Sequence, residues 1–152
     1  MKTEQQQIAE VRLVYTTKVK ASDRAQIKTS QDAYELFKGS WDRETIEHVE
    51  EFKLMLLNRS NKVLGISTIS KGGTAGTVVD VKLILQYAIK ANACAIIICH
   101  NHPSGNPKAS DSDITLTRKI KDATQLIDIQ LLDHLIIVPE GIYYSLADDG
   151  LV

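Results

Sequence analysis

The chain has 152 residues, 43% hydrophobic and 24% charged, with 18 Lys and Arg against 19 Asp and Glu and a formal net charge of −1. That length suits one domain with its own apolar core, and near-neutrality excludes the global pull toward nucleic acid or anionic membrane that a strongly basic chain has. No apolar stretch is long enough to span a bilayer, the start MKTEQQQIAEVR lacks a signal-peptide core, and Cys94 and Cys99 make no disulfide framework, so the expected setting is a reducing cytoplasm without membrane attachment.

In chain order, residues 10–18 alternate Val11, Leu13 and Tyr15 with more polar neighbours, which predicts a strand. Thr29 and Ser30 offer an N-cap, and Gly39 a stop, for a short helix over 31–38. Two strands, 49–57 and 63–70, flank the turn Asn58-Arg59-Ser60-Asn61 as a hairpin. Gly72, Gly73 and Gly76 mark a loop. Val81, Ile84, Leu85 and Ala88 then recur at helical spacing over 80–91.

The apolar run 93–99 has the length of a strand buried on both faces, and the loop 100–109 follows it, broken by Pro103, Gly105 and Pro107. A helix over 110–127 turns Leu116, Ile120, Ala123 and Ile127 inward. A strand over 131–138 pairs with 141–145. Strands and helices mix without strict alternation, so the expected class is α/β (α+β): a central mixed sheet with flanking helices.

Chemistry concentrates in CHNHPSGNPKASDSD, residues 99–113. His100 and His102 stand two apart where the buried strand ends, so in extended backbone both imidazoles project to one face and Asn101 to the other. Asp113, in the first turn of the next helix, can fold back as a third ligand. Two His and one Asp suit zinc, and three protein ligands leave a position for water, as catalytic rather than structural sites do. Ser110 and Asp113 also fit an N-cap followed three residues later by an acid, a capping-box-like helix start. Taken alone that is the simpler reading, and both uses can coexist.

The combined spacing His-x-His-x7-Ser-x2-Asp resembles the JAMM (MPN+ or JAB) metalloprotease motif. HNHPSG at 100–105 is similar to the RadC family of bacterial JAB-domain proteins. Asp113-Ile114, Leu116-Thr117, Leu132-Asp133-His134-Leu135-Ile136 and Ser145-Leu146-Ala147-Asp148 extend the likeness, which runs over about 50–150. The family pattern also asks for an upstream Glu-x-Phe, supplied by Glu50-Glu51-Phe52. Glu50 is in register, and Glu51 stays as an alternative.

The resemblance implies a JAB/MPN domain of cytidine-deaminase-like type over 49–152, with 1–48 a strand-helix extension packed on it. It implies one Zn2+ per chain held by His100, His102 and Asp113. Glu50 would be the general base and then acid for the zinc-bound water, without ligating the metal, and Ser110 would hydrogen-bond the oxyanion. The implied activity is that of a metallopeptidase or isopeptidase acting on a protein or peptide. Two other readings stay open: a DNA repair-associated RadC-like protein, binding or cutting DNA, and a metal-binding JAB scaffold without activity. Many RadC proteins carry an N-terminal helix-hairpin-helix-type segment, and the region before Glu50 is too short for one. A stand-alone JAB domain is therefore expected. His134, beside Asp133 in a strand, reads as structural, and His48 as a surface residue.

Overall fold

The structure is a computed structural model describing residues 7–12, 14–73 and 77–152. Its elements are α1 (Ser30–Ser40), β1 (Glu51–Leu57), β2 (Val63–Lys71), α2 (Val81–Lys90), β3 (Ala95–Asn101), α3 (Asp111–Gln125), β4 (Gln130–Ile137) and β5 (Tyr143–Ser145). The strands form one mixed sheet in the order β2-β1-β3-β4-β5. β3 and β4 are the parallel pair, and the other neighbours are antiparallel. A parallel pair needs a long crossover, and α3 is that crossover. The α+β class with a mixed sheet is thus the observed one.

Alternation along the strands divides the interior between the two sheet faces. On one face Phe52, Leu54 and Leu56 of β1 and Ile96 and Ile98 of β3 pack with Ile84 and Ala88 of α2 and Ile120 of α3. On the other, Met55, Leu57, Ile97, Cys99, Leu135 and Ile137 pack with Tyr34, Phe37 and Trp41 from α1 and the residue after it. The helix of the expected extension therefore packs on the second sheet face. β1 and β3 are buried along their full length, as expected of central strands.

Four expectations need correction. No regular structure forms over 10–18 outside Leu13, which lies outside the described residues, as does Gly76 of the glycine loop. Alternation alone makes no strand without a partner ladder: Val11 and Val14 stay exposed, and the segment touches β2 through the Tyr15 hydroxyl, which donates to the Leu64 carbonyl at 2.7 Å. β1 begins at Glu51 rather than at residue 49. β3 runs on through Asn101, because Phe52 pairs with His100 on one side and Ile136 and Ile137 pair with His100 and Asn101 on the other. α3 ends at Gln125, so Ile127 is exposed, and its buried face is Thr117, Ile120 and Thr124. Among the described residues, no helix is long and apolar enough to cross a membrane.

Candidate metal centre

Antiparallel pairing of β1 with β3 sets the start of β1 beside the end of β3. Glu50, just before β1, thereby reaches the histidines at the end of β3. The extended backbone continues one residue past β3, where the His102 amide donates to the Ile137 carbonyl at 2.9 Å. His100 and His102 consequently share a face, with ring centroids 4.7 Å apart. Asn101 projects to the other side and is fully buried. Its Oδ1 accepts from the Glu51 amide at 2.7 Å, and its Nδ2 donates to the carbonyls of Ile46 at 2.8 Å and Val49 at 2.9 Å. One amide side chain thus grips the backbone on both sides of Glu50.

The start of α3 closes the group. Ser110 is its N-cap: the Asp113 amide donates to Ser110 Oγ at 3.1 Å, and the Ser110 amide donates to Asp113 Oδ2 at 2.9 Å. Asp113 is both capping residue and site residue. Its Oδ1 lies 3.3 Å from His100 Nε2 and its Oδ2 3.4 Å from His102 Nε2. The capping bond fixes the carboxylate plane, because the N3 side chain must reach back to the N-cap amide.

Glu50, His100 and His102 each offer an atom within 4.8 Å of the others. Within that group, the two Nε2 atoms are 2.9 Å apart, and Glu50 Oε1 is 4.0 Å from each. Ligands bonded to a tetrahedral zinc at about 2.0–2.2 Å stand roughly 3.3–3.6 Å from one another. The two histidines and Asp113 come within a few tenths of an ångström of that spacing, so their donor set fits the ion. Glu50 Oε1, at 4.0 Å from each, lies a few tenths of an ångström beyond the same spacing, so Glu50 with His100 and His102 also makes a group that could hold an ion. Glu51 faces the opposite way and pairs with Lys71 at 2.9 Å, so it is not brought to the group.

Electrostatics follow from this crowding. Burial works against ionisation of Asp113, but the His100 and His102 rings, whenever they carry hydrogen on the Nε2 atoms that face it, outweigh burial and hold the carboxyl well below the usual range. The same Asp113 contact raises the His102 ring above its ordinary value, against desolvation. The His102 Nδ1 faces the Asn106 carbonyl at 2.7 Å, which can only accept, so Nδ1 carries the hydrogen and Nε2 is the nitrogen free for a ligand role.

Phe52 stacks on the His100 ring at 6.1 Å and 11° and, with Val79 and Leu116, lines the apolar side of the cleft. Thr77, Ser110 and Ser112 line its polar side.

Two residues near the site were not read as site residues from sequence. His134, fully buried on β4, sets Nε2 2.8 Å from His100 Nδ1, and its Nδ1 lies 2.6 Å from Thr117 Oγ1. Burial pushes its ring far below the ordinary imidazole value, so His134 is neutral. Thr117 stands one helical turn beyond Asp113, a spacing visible in the sequence. His48, expected at the surface, is exposed.

Residues 27–151 match the family model described as RadC-like JAB domain, a span that takes in every strand and helix from α1 to β5. Relatives named UPF0758 protein resemble the chain strongly. That of Flavobacterium johnsoniae is 48% identical over 102 residues, covering 67% of this chain and 44% of the relative. That of Porphyromonas gingivalis is 45% identical over 103 residues, covering 68% and 45%. That of Clostridium kluyveri is 44% identical over 103 residues, with the same shares. The chain spans less than half the length of these relatives. With a mixed sheet, an His-x-His pair ending its central strand and a capping Asp facing both rings, the chain belongs to the RadC-like JAB domain family.

Proposed function

We propose that the protein is a zinc-dependent hydrolase of the JAMM type, a peptidase or isopeptidase that cleaves an amide bond in a protein or peptide. One observation carries the reading: two imidazole nitrogens and a carboxylate converge at 2.9, 3.3 and 3.4 Å on the wall of an open cleft. His100, His102 and Asp113 would hold the ion. Bound there, zinc would supply Lewis-acid activation of water and of a substrate carbonyl at neutral pH.

The chain's own groups supply the rest. Glu50, set back at 4.0 Å from both rings, accepts a proton from water in the cleft and returns it to the leaving amine. Ser110 Oγ accepts the Asp113 amide and lies 3.0 Å from Ser112 Oγ; with Ser112 as the donor of that pair, the Ser110 hydrogen is available to the oxygen of the carbonyl as charge develops. Phe52, Val79 and Leu116 keep one side of the cleft dry, which strengthens both contacts.

The test is the zinc content of the purified protein beside His102→Ala and Glu50→Ala, followed by a peptide-library screen. About one zinc per chain is expected, lost in His102→Ala. Glu50→Ala keeps the zinc and loses hydrolysis. No zinc in the wild type after reconstitution would leave a scaffold as the reading. Tight duplex DNA binding with a steep salt slope would favour a nucleic-acid substrate, against a net charge of −1.

A further inference from the structure

Behind the metal-ligating face, three polar groups run inward through an apolar interior. His100, His134 and Thr117 are 3%, 0% and 0% exposed, and the Phe52 ring packs against both imidazoles. Buried polar groups must satisfy one another, so the direction of each hydrogen bond is determined from one end of the chain. That end is Thr117. Its hydroxyl has a single hydrogen, and Oγ1 donates it to the Asp113 carbonyl at 2.7 Å. With that hydrogen on the Asp113 carbonyl, Thr117 accepts from His134 Nδ1 at 2.6 Å; the reverse chain, with Thr117 donating to Nδ1, would put the hydrogen of His100 on Nε2. A neutral His134 with its hydrogen on Nδ1 has a bare Nε2, which accepts from His100 Nδ1 at 2.8 Å. His100, with its hydrogen on Nδ1, then presents a bare Nε2 to Asp113 and His102.

We propose that Thr117, acting through His134, is a positioning residue that holds His100 in the tautomer whose Nε2 can bind zinc. The inference rests on the zinc reading of the site. Without the relay, the opposite tautomer has an advantage in the metal-free protein, because a hydrogen on His100 Nε2 would meet His102 Nε2 at 2.9 Å and Asp113 Oδ1 at 3.3 Å as acceptors. The relay opposes that state. His102 needs no such device, since the Asn106 carbonyl fixes its tautomer in one step. The two ligands are thus set differently: one by a loop carbonyl, the other by a hydroxyl on α3 that also touches the residue supplying the third ligand. Partners of ligating histidines that fix the ring tautomer typically carry about 10- to 100-fold in metal affinity.

The experiment has two readouts on the full chain. Long-range nitrogen–proton spectra of the 15N-labelled, metal-free protein at mildly alkaline pH report which ring nitrogen of His100 bears hydrogen. Competition for Zn2+ against a chromophoric chelator reports affinity. The wild type and Thr117→Ser, which keeps the hydroxyl, are expected to show hydrogen on His100 Nδ1 and matching zinc affinity. Thr117→Val removes the acceptor without changing the shape. It is expected to shift the hydrogen to Nε2 and weaken zinc about 10- to 100-fold.

A wild-type His100 protonated at Nε2 overturns the proposal, and that spectrum decides even if Thr117→Val fails to fold. So does a folded Thr117→Val that keeps the Nδ1 hydrogen and wild-type affinity. If none of the proteins binds zinc, the functional reading fails, while the tautomer spectra still decide whether the relay operates.

Discussion

Asn101 stands between the two histidines and yet serves the carboxylate. Its three hydrogen bonds, to the Glu51 amide and to the carbonyls of Ile46 and Val49, bracket Glu50 from a fully buried position. Truncating it strands the buried Glu51 amide, at a cost of about 1–3 kcal/mol, and takes the partner from two part-buried carbonyls at a smaller cost. Asn101→Ala is therefore expected to lower stability by about 2–4 kcal/mol, seen as a lower urea midpoint. His100 and His102 are held by the β3 ladder and keep their place, so zinc affinity is expected to stay near that of the wild type while hydrolysis falls with the displaced Glu50. Wild-type activity in a protein that has lost the expected stability would mean that Glu50 is held by something other than this amide.

At the scale of elements, legibility in the sequence tracked how local the determining contact is. The His-x-His pair and the helix carrying Ser110 and Asp113 were readable because strand period and capping chemistry act over a few residues. The contact of His134 with His100 was not, because it depends on the β3–β4 register, which shifts between Ile96 and Ile97. The strand expected over 10–18 failed for the same reason: alternation describes one strand, and a sheet needs two.

α1 gives a test of the local kind. Asp32 accepts from the Lys28 amide at 2.9 Å and the Thr29 amide at 3.0 Å, and Thr29 completes the capping box. The Lys28 bond first, then the Thr29 bond, depresses the Asp32 pKa. A folded pKa below the unfolded value of about 3.9 means the contribution is present above that value and is lost as pH falls through the folded pKa. Wild type is thus expected to be more stable than Asp32→Asn at neutral pH, with the gap in urea midpoint closing below about pH 4. A gap that stays constant through that range would remove the charge of Asp32 from the account of the cap.

For the molecule as a whole, the sheet separates two cores, and the site belongs to one of them. Phe37 of α1 is fully buried among Met55, Leu57 and Leu135 on the face away from α2 and α3. The histidine rings and Asp113 lie at the end of the other face, beside Phe52. A ligand that binds only the folded state stabilises it by mass action, about 2.7 kcal/mol at a free concentration one hundred times Kd. In a chain of this size that is a rise in Tm of about 5–11 °C. Phe37→Ala removes a large core side chain and is expected to cost about 3–5 kcal/mol. Changes that share no partners add. Saturating zinc is therefore expected to raise the melting temperature of Phe37→Ala by about the wild-type increment and to leave His102→Ala unmoved, with one unfolding transition in each protein. A lost increment in Phe37→Ala would show that the sheet transmits packing from α1 to the metal ligands. A second transition would separate α1 from the folding unit that its burial against β1, β3 and β4 assigns it to.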